Sequence, residues 1–456
     1  MFKSPRNPLL AKALVVGALA LLMLIPLNMI EGLIAERAAR RMEAVASVQA
    51  SFAGRQTLVL PFFVWPYVEQ WTDETVNASG RVIARTQHTS ETRYLLWFAE
   101  QVGADAQVTV QSDRYRGIHR VRTFDSKISI SGSVIWPDRN AVKPSADGRR
   151  LVWAEPRLVL PISDVRGLRG TPSLAVDGEP RTFKEATLLA TMNSGIHAVL
   201  VAPSATSSQR FSIALALAGT EQIAFAPTAT NTVVTLQSAW PDPHFAGRYL
   251  PVDRIISAAG FTARWEVPAL ASAVQQQLRA VASGTVGDKR GVTAIDTFDV
   301  DFIEAVNAYL LAERSTKHGA LIIVLVFAAL FLFDTLRAVN AHAVQYGFVG
   351  LSLAIFFLLL LSLSEHIAFG LAYLIAGSAC TMLITYYLRY VLHDTRRTAG
   401  FGAALALMYA TVYAILVAEG SALLMGSGLL FATLATAMIV TRKFDWRQFS
   451  AGIRAE

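Results

Sequence analysis

Five long apolar runs dominate the second half of the sequence: Ala320–Leu336, Val344–Leu363, Ala368–Leu388, Phe401–Ala418 and Ala422–Val440. Each approaches the ~20 residues that an α-helix needs to cross a hydrocarbon core at about 1.5 Å per residue. Turns of only a few residues separate them, a spacing foreign to buried helices of a soluble core, and the pattern predicts a polytopic membrane bundle. A sixth run, Ala13–Ile30, comes after Lys3, Arg6 and Lys12. Basic residues before an apolar core are also the pattern of a signal peptide. This run is longer than the ~7–15 residues of such a core, and the residues after it (Glu31, Glu36, Arg37, Arg40, Arg41) offer no nearby small-x-small cleavage site. The expectation is an uncleaved first transmembrane helix, kinked by Pro26 near its outer end.

Between the first run and the other five the periodicity changes. Ile34, Ala38, Met42, Val45 and Val48 keep a period near 3.6, a helical continuation. Beyond Phe52 the period becomes two. Thr57–Trp65, Gln107–Gln111, Lys127–Ile135, Ser212–Ala218 and Thr232–Gln237 are short and rich in Val, Ile, Thr and aromatics. Ile128, Ile130 and Val134 alternate with Ser129, Ser131 and Ser133, and Gly132 marks a bulge or a close approach. Turn-rich breaks fall at Pro137–Arg149, Arg166–Arg181 and Gly284–Gly291. About 250 residues of this kind make one large or two smaller β-rich units. Phe302, Val306, Tyr309 and Leu310 then share a helical face that leads toward Ala320 as one long helix or a tight pair. That segment reads as a mechanical coupling or an interfacial anchor.

Charge gives the sidedness. With the amino terminus in the cytoplasm, the loops around Arg337–His342 and Arg389–Arg397 and the tail with Arg442, Lys443 and Arg447 lie inside. Glu365, His366 and Glu419 are left outside, as are residues 31–318. The expected fold is thus a membrane protein of α+β type, with six transmembrane α-helices and a large β-rich external domain inserted between helices 1 and 2. Its parts are 1–30 (cytoplasmic tip and first helix), 31–318 (external domain with flanking helices), 319–440 (five-helix bundle) and 441–456 (cytoplasmic tail).

Composition agrees. The 456 residues are 53% hydrophobic and 16% charged, against ~25% charged in a soluble domain. The net charge of +7 is accompanied by no zinc spacing, basic helix or RNP-like pattern, so nucleic acid is not the expected partner. Cys380 is the single cysteine, which rules out a disulfide framework within one chain. Fewer than ~40 residues remain for the cytoplasm, too few for a folded domain there. No phosphate-binding loop occurs.

The eight histidines are scattered without H-E-x-x-H, and Thr191-Met-Asn-Ser-Gly195 lacks the first glycine of a nucleophile elbow. Asp299 and Asp301 lie two apart and could share a strand face; placed at a helix start, they read instead as caps or dipole partners. No enzyme, cofactor or metal is expected. Transport or lipid handling is the alternative, because acids within or beside a membrane are functional candidates. Here Asp334 lies one turn from Arg337 and can pair with it. Glu313, Arg314, Lys317, His318, Glu365, His366 and Glu419 share one depth at the outer face and form the candidate polar cluster. Arg114, Arg116, Arg120 and Arg122 form a candidate basic surface for acidic glycolipid or headgroups, against the plainer reading of a solvated strand face. Ala372, Ala376 and Cys380 recur at i,i+4,i+8 and allow close helix approach.

Several stretches carry a family resemblance. They are Tyr-Arg-Gly-Ile-His-Arg-Val at 115–121, Ser-Asp-Val-Arg-Gly-Leu at 163–168 and Glu-Arg-Ser-Thr-Lys-His-Gly at 313–319. With them go His-Ala-Val-Gln-Tyr-Gly-Phe-Val-Gly at 342–350, Leu-Leu-Leu-Leu-Ser-Leu-Ser-Glu-His-Ile at 358–367 and Thr-Arg-Lys-Phe-Asp-Trp at 441–446. In their order and spacing the chain resembles the CreD-type inner membrane proteins of Gram-negative bacteria, also called cell-envelope integrity proteins. The likeness covers nearly the whole length. It departs at Ala343, where the family commonly has Pro, and at Gly420, where a second acid is usual after Glu419. The resemblance implies an inner-membrane location, a periplasmic β-rich domain and a role in envelope maintenance, in a regulon that responds to cell-wall stress and β-lactams. The partners it leaves open are the bilayer, an unidentified periplasmic or membrane protein, or an envelope glycan.

Overall fold

The computed structural model describes residues 8–76, 82–189, 191–201, 207–282, 295–302, 308–337, 341–392, 394–417 and isolated positions between 426 and 442. The protein mixes helix and sheet and divides into two units: Met1–Met42 with Val306–Glu456, and Glu43–Ala305.

The first unit is helical. α1 (Pro8–Leu22) and α2 (Leu24–Ser51) are separated at Met23. Pro26 explains the break: it has no N–H for the Leu22 carbonyl, and its ring crowds that same carbonyl four residues back. The interruption therefore falls earlier in the run than an outer-end kink. α3 (Val274–Ala282) belongs to the other unit. α4 (Ala308–Lys317) and α5 (Gly319–Arg337) are a tight pair, bent by 41° at His318. α6 (Ala343–Ser364), α7 (Phe369–Leu392) and α8 (Thr395–Val417) complete the set. Among the described residues four helices are long and apolar enough to cross a membrane, or five if the bent pair counts as one span. The expected run Ala422–Val440 lies largely outside the described residues.

Packing in this unit follows the small residues. Ala372 and Ala376 are fully buried and Cys380 nearly so, the row expected of α7. On α6, a Cβ at Gly350 would stand 2.7 Å from Met23 Cγ and Phe327 Cζ, so glycine permits the helices to close up.

The second unit is β-rich, because its segments alternate with period two. A four-stranded sheet has the order β1 (Gln56–Val59), β14 (Gln222–Ala226), β19 (Phe298–Asp301), β16 (His244–Gly247). An eight-stranded sheet runs β10 (Glu179–Arg181), β9 (Leu168–Val176), β13 (Ser208–Thr220), β6 (His119–Ile135), β5 (Gln101–Arg116), β15 (Asn231–Ser238), β18 (Gly260–Pro268), β17 (Asp253–Ser257). A third sheet runs β11 (Lys184–Glu185), β12 (Gly195–Val199), β8 (Arg157–Pro161), β2 (Phe62–Val76), β3 (Val82–Thr89), with β4 (Arg93–Trp97) and β7 (Arg150–Trp153) also on β2.

One core joins all three sheets. Phe63 and Trp65 of β2, Val102 and Ile130 of β5 and β6, and Phe225 and Phe298 of the small sheet are buried together. Val274, Leu278 and Val281 place one face of α3 over a second cluster with Phe62, Val64 and Leu96. Gly132 is a close approach and not a bulge: its register with β13 is unbroken, and a Cβ would stand 2.5 Å from the Gln101 carbonyl oxygen and Phe211 Cζ.

One expected break is corrected. Arg166–Arg181 contains β9 and β10, because pairing with β13 outweighs its Gly and Pro content. Gly170, at φ +70°, supplies the irregularity beside the register shift at Ala214 and Ala216. The expected break at Gly284–Gly291 lies outside the described residues.

The break at Pro137–Arg149 is fastened by Glu69 of β2, whose side chain is 1% exposed. Its carboxylate accepts from Ser145 Oγ (2.5 Å), the Ser145 N–H (3.1 Å), Arg149 Nη1 (3.0 Å) and Arg93 Nη1 (3.1 Å). The Ser145 hydroxyl above all, with Arg149, the Ser145 N–H and Arg93, outweighs desolvation and draws the carboxyl from 4.5 down to about 2. A depressed acid stabilises the fold above its unfolded pKa and loses that contribution as pH falls through the folded one. Thermal unfolding of the full-length protein in detergent should therefore lose stability between pH 4.5 and about 2, and Glu69→Gln should flatten the curve in that interval. An unchanged acid limb in the variant would contradict the assignment.

Candidate functional site

The end of α2 gathers a dense set of side-chain hydrogen bonds. A helix leaves its last carbonyls without intrahelical donors. Arg166 supplies them: Nη1 donates to the Ala50 carbonyl at 2.6 Å and Nη2 to that of Gln49 at 3.2 Å. Asp164 orients the guanidinium through Nε at 2.9 Å and Nη2 at 2.6 Å, and accepts the Gly54 N–H at 2.9 Å. Burial pushes the Asp164 carboxyl up, but the Arg166 hydrogen bonds, the Gly54 N–H and the Arg166 charge hold it below its ordinary value. Ser163 bonds the Thr57 N–H and the Arg55 carbonyl. The stretch Ser163–Leu168 is thus a clamp on the helix end.

Two of the four expected basic residues, Arg114 and Arg116, meet this helix end. Arg114 stacks over the Phe52 ring at 4.1 Å, joined by Arg169 at 4.7 Å, and Arg116 Nη2 lies 3.5 Å from Ser51 Oγ. Arg120 holds the Tyr115 hydroxyl through Nε and Nη2 at 2.9 and 2.8 Å. Arg122 departs from the expected surface: it is buried, over Trp240 at 4.8 Å. It lies two residues further from the β5–β6 hairpin tip than Arg120, on the same strand face, where Trp240 covers it. Cation–π stacking on Phe52 is worth about 0.5–2 kcal/mol per pair.

In the helical unit the expected polar cluster separates. Glu313 and Lys317 pair at 2.8 Å on the exposed side of α4. Such an i,i+4 pair contributes only tenths of a kcal/mol. Glu365 instead sits 9% exposed, accepting from the Tyr309 hydroxyl at 3.2 Å and lying 3.8 Å from Arg37 Nη1. Arg314 and His318 are half-buried and His366 is exposed. Glu419 lies outside the described residues. Sequence reasoning missed Arg37 and Tyr309, which come from elements distant in the chain.

Asp334 has a partner the sequence did not suggest. Its carboxylate, 4% exposed, meets Lys12 Nζ at 2.5 Å, the Tyr346 hydroxyl at 3.0 Å and the Ala341 N–H at 3.1 Å. Three helical elements and a loop therefore share one buried charge. The Arg337 side chain, the expected partner, lies outside the described residues. Among the described residues no three His, Cys, Asp or Glu side chains converge as metal ligands.

Known proteins offer one close likeness and several slight ones. The family profile described as inner membrane protein CreD matches residues 8–447. The inner membrane protein CreD of Escherichia coli (strain K12) is 31% identical over 454 residues, which is 98% of this chain and 95% of the relative. Among solved structures, an M1 zinc metallopeptidase from Deinococcus radiodurans aligns at TM-score 0.21 and 9% identity over 45% of this chain and 42% of that one. A putative nutrient binding protein from Legionella pneumophila aligns at TM-score 0.24 and 6% identity, over 49% and 82%. Likenesses this slight carry nothing about fold or chemistry.

Substitutions at Arg166 and Asp334 test these geometries. Arg166→Ala should speed hydrogen exchange of the amides near Phe52, and Arg166→Lys should not restore them, lacking the planar fork. Exchange unchanged in Arg166→Ala would remove the clamp. Asp334→Ala leaves half-buried Lys12 and the Tyr346 hydroxyl without their partner and should cost about 1–3 kcal/mol in denaturant unfolding of the solubilised protein. The double change Lys12→Met with Asp334→Leu should recover part of that loss; a loss no greater than for an exposed ion pair would refute the buried knot.

Proposed function

The chain belongs to the CreD family of inner membrane proteins, and we propose that it supports cell-envelope integrity without catalysis, through its β-rich unit held on the periplasmic side. The observation that carries this reading is the chain order. Residues Glu43–Ala305 form a β-rich unit inserted after the first apolar helices and before α5 to α8. A chain so built presents a folded body of that size on one side of a bilayer and leaves only short segments on the other.

The finer topology follows from charge. Lys3, Arg6 and Lys12, the Arg337–His342 and Arg389–Arg397 loops, and Arg442, Lys443 and Arg447 all fall on one side if six helices span. That side is the cytoplasm, with both termini there and residues 31–318 in the periplasm. The work assigned to the β unit is sensing, scaffolding or stabilising during cell-wall stress, through a periplasmic or membrane protein or an envelope glycan. What supports a non-catalytic role is that the charged side chains described above are engaged in holding the structure. The clamp at Arg166 is of that kind, since it fixes where a helix ends.

A second reading, transport or lipid handling, draws on Asp334, an acid buried among apolar helices. Its pairing with Lys12 and Tyr346 gives that acid a structural occupation instead.

Photo-crosslinking in living cells from exposed positions of the β unit, such as Ile255 or Arg120, distinguishes these readings. A discrete protein or glycan adduct is expected; turnover by the purified protein, or substrate-dependent flux in proteoliposomes, would displace the proposal. For the sidedness, alkaline phosphatase fused after position 200 should be active and the same tag at the carboxyl terminus silent. The reverse pattern would invert the topology.

A further inference from the structure

β19 is the last strand of the β unit, and it lies inside the four-stranded sheet between β14 and β16. Phe298 and Val300 point into the apolar core, so Asp299 and Asp301 share the opposite face. The register gives each its neighbours. Asp299 lies between Ala224 and Ala246, and Asp301 between Gln222 and His244.

The surroundings of the two acids are spare. Gln222 Nε2 reaches diagonally from β14 to donate to Asp299 Oδ2 at 2.6 Å. Thr297 Oγ1 lies 3.4 Å from Asp299 Oδ1. From β16, His244 Nδ1 stands 3.2 Å from Asp301 Oδ2, while Asp301 Oδ1 is buried with no hydrogen-bond partner. Gly247, at φ +88°, is the residue that makes room, because a Cβ there would overlap Asp299 Oδ1. Close by along the chain, Arg248 and Asp296 pair with each other at 3.7 Å. Two carboxyls and one imidazole therefore face each other, with a single amide and a hydroxyl to satisfy them.

We propose that this face of β19 is an acid-responsive latch, in which Asp299 takes up a proton beside Asp301 and relieves the repulsion between the two carboxylates, so that the strand is held more firmly in acid than at neutral pH. Burial first, and then the Asp301 charge, push the Asp299 carboxyl above its ordinary 3.8, with Gln222, Thr297 and His244 pulling only partly against them. An acid raised in the folded state binds its proton more tightly folded than unfolded. Stability from it rises as pH falls through the folded pKa and levels off below 3.8. Glu69, whose carboxyl is depressed, works in the opposite direction as pH falls from 4.5 toward about 2. The latch acts whichever side of the membrane the unit occupies.

Hydrogen exchange of the full-length protein in nanodiscs tests this. Amides of β14, β16 and β19, corrected for intrinsic rates, should gain protection as pH falls from neutral toward 4.5, where the Glu69 loss begins, by at most about tenfold per pH unit for one proton. β5 and β6 should not follow. Asp299→Asn should be well protected at both ends with the slope gone. Protection that is flat or falls in acid, or a full slope retained in Asp299→Asn, overturns the latch. If Asp299→Asn does not fold, Asp301→Asn decides: loss of slope supports the latch and a full slope refutes it.

Discussion

A helix that stops must find donors for its last carbonyls, and the means by which α2 stops organises much of the β unit. Arg166 gives two donors to Gln49 and Ala50, and Asp164 fixes the guanidinium while taking the Gly54 N–H. The surrounding bonds converge on the same place. Gln56, fully buried, donates to the Asp164 and Ala218 carbonyls, and Thr220 donates to that of Ala53. Gly167 has no room for a Cβ against the Ala218 carbonyl and Gln56. Helix end, first strand and the β13 edge are therefore one hydrogen-bonded node. Arg114 and Arg169 close it from above Phe52.

A second regularity is that buried carboxylates are answered by donors remote in sequence. Glu69 draws on Ser145, Arg149 and Arg93; Asp334 draws on Lys12 and Tyr346; Glu365 draws on Tyr309 and Arg37. In a low dielectric an unanswered charge costs several kcal/mol, so each acid fixes the position of several elements at once. Asp299 and Asp301 are the contrast. They face a second acid and a histidine, and one Asp301 oxygen has no partner.

Periodicity alone carried a large share of the architecture. Apolar runs near the length of a membrane span gave α6, α7 and α8, and strict alternation gave the strands around Thr57, Lys127, Ser212 and Thr232. These succeed because each depends on one chain segment presenting one face, a local property. The same locality explains the failure at Arg166–Arg181. Its Gly and Pro content signals a turn, but β13 supplies a pairing edge that only the folded chain possesses.

The sequence by itself determined that apolar helices come before and after a β-rich stretch, that Pro26 disturbs the first apolar run, and that Gly132 is a bulge or a close approach. Hydrophobic period and backbone stereochemistry are written residue by residue. Tertiary structure alone decided who meets whom: that Lys12 and not a neighbour answers Asp334, that Trp240 covers Arg122 while Arg114 covers Phe52, and that Glu365 leaves the Glu313 group for Tyr309 and Arg37. Charge pairing is decided by proximity in space and by the cost of burial, and neither is a function of separation along the chain.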